Sequence, residues 1–308
     1  MGKWLKIIAF SFLIFILADK AKAQQEQSFM HFMLQQATYN PAVSGNEQNI
    51  QFNGLMRQQW VGLSGAPQTY LINIHAPVAM LNGGVGASII NDQIAAFKTT
   101  GLKLAYAYRK EFWQGDISFG LSAGLINQSI NYAYFNVQDD PLLQGSNDAS
   151  GMIFNLDLGV FYEEKGHYYL GLSSTQVNQG SMTIDGGATS LKRNIYLHGG
   201  YYFTMRQLPD IVFHSSAMAV YTAGAPLQIN LGMLAEYNKK FWGGVIYRHQ
   251  SGLGLMAGIY YKQFTASYAY EINTTSLSNG GSHELMVGYR FKIEIVKGNK
   301  SYKNTRYL

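Results

Sequence analysis

Apolar residues recur at every second position through most of this chain, and that period constrains its fold more than any other feature. From His283 to Ile295 the odd positions read His, Leu, Val, Tyr, Phe, Ile, Ile and the even ones Glu, Met, Gly, Arg, Lys, Glu. Successive side chains of a strand point to opposite faces, so such a segment is half apolar and half polar when extended, with no coherent stripe as a helix. Leu102, Leu104, Tyr106 and Tyr108 alternate in the same way with Lys103, Ala105, Ala107 and Arg109, as do Ile229, Leu231 and Met233 with Asn230 and Gly232. Phe264 to Ile272 repeats the pattern. Between Ile117 and Leu125 the second face is Ser, Gly, Ser, Gly. A soluble sandwich alternates too. Small and polar residues on one face with large apolar ones on the other suit a barrel whose outside meets lipid.

Fourteen such segments can be marked, at about 50–57, 68–75, 85–92, 99–110, 115–127, 152–163, 167–174, 193–205, 210–221, 228–237, 241–248, 254–261, 264–272 and 283–293. The number is even, as closure of a single antiparallel chain with both termini on one side requires. Long connections (58–67, 128–151, 175–192, 273–282) follow odd-numbered segments. Short ones (around Gly166, Arg206–Pro209, Asn238–Lys240, Lys262–Gln263) follow even-numbered segments. That asymmetry belongs to outer-membrane barrels, with long loops outside and tight turns in the periplasm. Ala76–Gly84 is expected to break the rule, as a long connection on the short side. Backbone in lipid must satisfy its own N–H and C=O groups, so the expected fold is an all-β transmembrane antiparallel barrel of about fourteen strands. The 22 tyrosines would anchor it at the two interfaces.

The formal charge of +5 suggests a nucleic-acid partner until it is located. Lys3 and Lys6 precede an apolar run from Ile7 to Leu17 and then Ala21-Lys22-Ala23, the layout of a secretory signal peptide cleaved near Ala23. The tail from 294 to 308 is basic as well. Residues 24–291 hold 14 basic and 16 acidic side chains, so the body is slightly acidic and no nucleic-acid surface is expected. The chain therefore divides into a signal peptide (1–23), a pre-barrel segment (24–49), an outer-membrane barrel (50–293) and a basic periplasmic tail (294–308). The tail is a solvated end or docks on a periplasmic partner or an anionic surface. Residues 24–49 are hydrophobic although they precede the barrel, and Phe29 to Tyr39 is expected to tuck into or beneath the lumen.

Specific motifs cluster near the N-terminus. They are Phe29-Met30-His31-Phe32-Met33, Tyr39-Asn40-Pro41-Ala42, Arg57-Gln58-Gln59-Trp60-Val61-Gly62, Gly65-Ala66-Pro67 and His75-Ala76-Pro77. Asp140-Pro141-Leu142-Leu143, Leu170-Gly171-Leu172-Ser173-Ser174 and Ser282-His283-Glu284-Leu285-Met286-Val287-Gly288-Tyr289-Arg290-Phe291 follow. Together they resemble the PorP/SprF family of Bacteroidetes membrane proteins. The resemblance implies an outer-membrane component of type IX secretion and gliding motility. It implies partners as well: a large secreted adhesin, bound through its C-terminal domain, and periplasmic or lipoprotein components of the machinery. It carries no catalytic motif. Physically, Pro41, Pro67 and Pro77 cannot donate to a ladder and are expected to mark the ends of the first two strands. Gly62 and Gly65 permit turns that Trp60 could cover.

Candidate partner-binding or plug residues are thus Tyr39, Asn40, Pro41, Arg57, Gln59, Trp60, Gly62, Gly65, Pro67, His75 and Pro77. Candidate lumen residues are Lys103, Arg109, Asp157, Glu163, Glu236, Glu271, Glu284 and Arg290, of both signs, which suit docking of a polypeptide better than a single-sign ion filter. No cofactor is expected. The seven mature-chain histidines show no His-x-x-x-His pair, so no metal site is expected. Asp139, Asp140 and Asp148 lack the Gly and Glu of an EF-hand. His214 and Ser215, neighbours on a strand, point to opposite faces and do not make a nucleophile with its base. The expected function is non-enzymatic attachment or secretion of an adhesin, with a small-solute porin as the alternative.

Overall fold

The computed structural model describes residues 26–135, 149–184, 187–249, 251–273 and 280–292. Fourteen antiparallel strands close into one barrel. In chain order they are β1 (Asn49–Gln58), β2 (Gln68–Val78), β3 (Gly83–Ile94), β4 (Phe97–Phe112), β5 (Gly115–Ile130), β6 (Ala149–Glu164) and β7 (Tyr168–Thr175). After a two-stranded hairpin, β8 (Ser181–Ile184) with β9 (Gly187–Ser190), the barrel resumes. Its remaining strands are β10 (Asn194–Met205), β11 (Leu208–Thr222), β12 (Gln228–Tyr237), β13 (Phe241–Arg248), β14 (Gly252–Tyr261), β15 (Phe264–Asn273) and β16 (Ser282–Lys292). The seam joins first and last strands, with Asn49 opposite Lys292 at one end and Gln58 opposite His283 at the other.

The alternation reads directly onto the wall. Along β16, Leu285 and Val287 face outward and are about half exposed, while Glu284 and Met286 face inward and are buried. Leu102, Leu104, Leu121, Leu170, Leu231 and Leu255 belong to the same outward apolar band. In water such a surface would be an uncovered hydrophobic patch far beyond what a monomer tolerates; in a bilayer it is the solvent-exposed face. Outward aromatic residues sit toward both ends: Phe112, Trp113, Tyr237, Phe241, Tyr261 and Phe264 at the turn end, Tyr70, Tyr221, Tyr247 and Tyr268 toward the loop end.

Every turn-end connection is short, including 79–82 between β2 and β3. The expected long connection at Ala76–Gly84 is absent, because β2 runs on through Pro77, opposite Gly84, to Val78. Pro77 therefore does not end its strand. Pairing of β2 with β1 stops at His75, so beyond it the β1 side of the strand is an edge where a proline is tolerated. Loop-end connections are mostly long, although β3 and β4 are joined only by Ala95 and Ala96. In the long connection between β7 and β10, the β8–β9 hairpin folds inward, placing Met182 and Leu191 against inward-facing Ile126 and Ile153.

Candidate functional site

Residues 26–46 lie within the ring of strands and run its length. Glu26 contacts strand ends at the loop side, and Gly45 is held near the turn side by Arg109. Three short helical turns shape the segment, Met30–Met33, Gln36–Tyr39 and Pro41–Val43, the last capped by Asn40, whose side chain accepts from the Ala42 N–H. Pro41 opens that turn where its missing N–H costs nothing.

Apolar residues seat the first half. Phe29, Met30, Phe32 and Met33 are buried against the inward face of the wall, in a cluster with Leu55, Leu234, Trp242, Ile246 and Met256. Ala42 and Val43 pack on Phe161 and Tyr169. The wall is hollowed to receive the segment. A Cβ at Gly120 would collide with the backbone of Pro41 and Ala42, and one at Gly159 with the Asn40 side chain, so the close approach exists because these positions are glycine.

Polar groups fix the register. Glu284 accepts from the N–H groups of Met30 (2.7 Å) and His31 (3.2 Å) and pairs with His31 Nδ1 at 2.8 Å. Arg57 bridges Glu284 and Glu271, the latter at 2.8 Å, and Arg248 meets Glu271 from the other side. His31 Nε2 reaches Ser267 Oγ at 2.9 Å. Arg57, Glu271 and Glu284 are at most 2% exposed, so the charges are viable only because each is paired. Midway, Asn73 donates to Gln35 and Thr38, Ser173 donates to the Tyr39 carbonyl, and Asn40 donates to the Val160 carbonyl. The buried Tyr39 hydroxyl accepts from the Phe29 N–H. Near the turn end Arg109 donates to the carbonyls of Gly45 (2.6 Å) and Ser44 (3.3 Å), and His75 Nδ1 accepts from Gly45.

At the loop end, side chains hold the Glu26 carboxylate. Its Oε2 accepts from Thr175 Oγ1 (2.7 Å), Tyr196 OH (2.8 Å) and Asn194 Nδ2 (3.3 Å), while Lys103 Nζ lies 3.4 Å from Oε1. Lys103 also pairs with Asp157 at 3.0 Å.

A family model of the type IX secretion system membrane protein PorP/SprF matches residues 21–289. The chain belongs to this PorP/SprF family. Among solved structures, the barrel is similar to the Ralstonia pickettii toluene transporter TbuX, with 11% identity and a TM-score of 0.53 over 85% of this chain and 93% of that one. It is also similar to the Acinetobacter baumannii outer membrane protein Omp33, with 10% identity and a TM-score of 0.45 over 79% and 99%. No curated protein sequence matches the chain.

The sequence-derived candidates of this PorP/SprF chain fall into three places. Tyr39, Asn40, Pro41, Arg57 and His75 meet inside the lumen, together with Lys103, Arg109, Asp157, Glu271 and Glu284. Glu163, Glu236 and Arg290 line an open cavity of about 270 Å³ at the turn end, where Arg290 faces Glu47 at 3.9 Å. Gln59, Trp60, Gly62, Gly65 and Pro67 form the loop after β1. Gln59 donates there to the Pro67 carbonyl, Val61 exchanges backbone bonds with Gly280 and Gly281, and Gly62 and Gly65 take positive φ. Pro77 lies outside all three, in the wall. Glu26, Asn194, Tyr196 and Arg248 are not marked by the sequence, and His31 only as part of its motif. For Arg248 a signal existed, since alternation along β13 puts it on the face of Trp242 and Ile246. The remaining four depend on strands that only closure brings together. Asp139, Asp140 and Asp148 lie outside the described residues. His214 is buried, beside Tyr169, while Ser215 points away to the Tyr201 carbonyl.

Proposed function

We propose that the protein is a sealed outer-membrane docking barrel of the type IX secretion and gliding machinery. It holds a large adhesin by its C-terminal domain at the loop end and meets periplasmic or lipoprotein components at the turn end. It acts by binding, without catalysis. The observation that supports this reading is the threaded N-terminal segment, seated from the Glu26 contacts through Glu284 to Arg109. A lumen so filled suits a scaffold for protein contacts. An open solute path would need that segment to leave, and its buried ionic anchors oppose that. The family match supports the secretion setting. TbuX is a toluene transporter, and that likeness bears on the fold only.

Affinity purification of the full chain from native membranes, with mass spectrometry of co-eluting proteins, tests the reading. A co-purifying large adhesin is expected. Liposome swelling supplies the opposing measurement: flux of small sugars through the wild-type barrel, with no adhesin recovered, would make it a porin.

A further inference from the structure

Glu26 occupies a site whose chemistry is more general than its present occupant. A hydroxyl from Thr175, a phenol from Tyr196, an amide from Asn194 and the Lys103 ammonium converge on one carboxylate from strands β7, β10 and β4. All four are donors, and Thr175, Asn194 and Tyr196 are buried by the surrounding wall. That set is a preorganised carboxylate receptor: charge-assisted bonds in a desolvated recess, fixed before the ligand arrives. Two further observations bear on what fills it. Among the described residues, no backbone–backbone hydrogen bond holds Glu26, Gln27 or Ser28, and the Glu26 side chain makes the polar contacts of this stretch. A cavity of about 90 Å³ adjoins Glu26 and Lys103, with Ile90, Ile126, Gln176 and Lys192 also in its lining, while Thr175, Asn194 and Tyr196 hold the carboxylate from outside it.

We propose that Lys103, Thr175, Asn194 and Tyr196 form a carboxylate-binding site for the exported polypeptide, which Glu26 fills while the barrel is unloaded. The inference rests on the docking reading above and gives it a contact point. The incoming carboxylate is either the free C-terminus of the polypeptide or an acidic side chain near it, and it displaces Glu26 without disturbing the deeper anchors at Glu284 and Arg109. Because Glu26 is tethered, it competes at a high effective concentration, and its removal is expected to strengthen binding in trans by at least about tenfold.

The probes are three N-acetylated Gly-Ser-Gly-Ser-Gly peptides: the free acid, the C-terminal amide, and an amide with Glu at the centre. Binding is measured by calorimetry on the full chain in detergent micelles. The Glu26→Ala barrel is expected to bind at least one acidic peptide about tenfold more tightly than the neutral amide, and Lys103→Met in the same background to abolish that preference. Preference for the free acid identifies a C-terminal carboxylate as ligand, and preference for the Glu peptide an acidic side chain. Equal binding of all three overturns the site. If Glu26→Ala fails to fold, judged by heat-modifiable migration, the test moves to a Gln27→Cys chain that keeps Glu26. An acidic peptide should then accelerate maleimide labelling several-fold over the amide, and equal rates overturn the site. The two readings fail separately. Adhesin recovery unaltered by Lys103→Met removes the site and leaves docking. Acidic peptides bound with no adhesin recovered from native membranes remove docking and leave the site.

Discussion

Replacing Glu284 with Gln tests whether the ionic cluster holds the N-terminal segment in the lumen. The carboxylate accepts from two backbone N–H groups and from His31, and it also pairs with Arg57. The amide keeps one acceptor and turns two N–H donors toward groups that are themselves donors. Breaking a buried pair by removing one partner costs about 3–5 kcal/mol. Arg57 retains Glu271, so the wall survives and the loss falls on the inserted segment. Phe29, Met30, Phe32 and Met33 stay buried in the variant and, at roughly 1.5–3 kcal/mol each, keep the segment seated most of the time. The entropy of ordering the segment is common to both proteins and drops out of the difference. Transient release should rise by roughly a hundred- to several-thousand-fold, at about 1.4 kcal/mol per factor of ten. The chain has no cysteine, so Met33→Cys supplies a single reporter at a buried position. Maleimide labelling of that reporter is compared with and without Glu284→Gln, in barrels whose heat-modifiable migration is intact. Labelling rates within twofold of each other would refute the assignment of Glu284 as an anchor.

Other substitutions probe the seat and the wall. Asn40→Ala removes bonds to the Val160 carbonyl and the Ala42 N–H, each about 1 kcal/mol, and should raise Met33→Cys labelling by roughly ten- to a hundredfold. Gly120→Ala adds a methyl where the backbone of Pro41 and Ala42 lies, and should increase ion conductance in planar bilayers while the barrel still folds. Leu121→Arg on the outward face should lower stability by about 2–4 kcal/mol on refolding into vesicles, whereas Tyr237→Arg near the turn-end interface should cost about 0–1 kcal/mol.

The wall was legible because period two survives single substitutions: Leu285 and Val287 against Glu284 and Met286 declare both faces without any partner strand. Pro77 misled because a proline forbids only one donor, and which side that donor faces depends on where the β1 pairing stops. The β8–β9 hairpin had a local signal in Asp185-Gly186, the dipeptide favoured in two-residue hairpins, but strands of four residues carry too little alternation to stand out. Within the site, Tyr39, Asn40 and Pro41 were visible as a motif and Glu284 as an inward charge. Their meeting was not visible, since Met30 and Glu284 stand 254 residues apart. Glu26 lies in a stretch without periodicity, and its four donors come from the paired strands β7 and β10 and from β4, with two strands of the wall between it and β7.

Arg57 stands on β1 and Glu284 on β16, directly opposite one another in the pairing that closes the ring. With water in place of the segment, Glu284 would keep Arg57 and exchange the His31 and Met30 donors for solvent. Ring closure and seating of the segment therefore meet at one residue: Glu284 takes Arg57 from across the seam and the Met30 and His31 donors from the inserted segment. A substitution at this one position is thus felt both by the seam and by the segment within it.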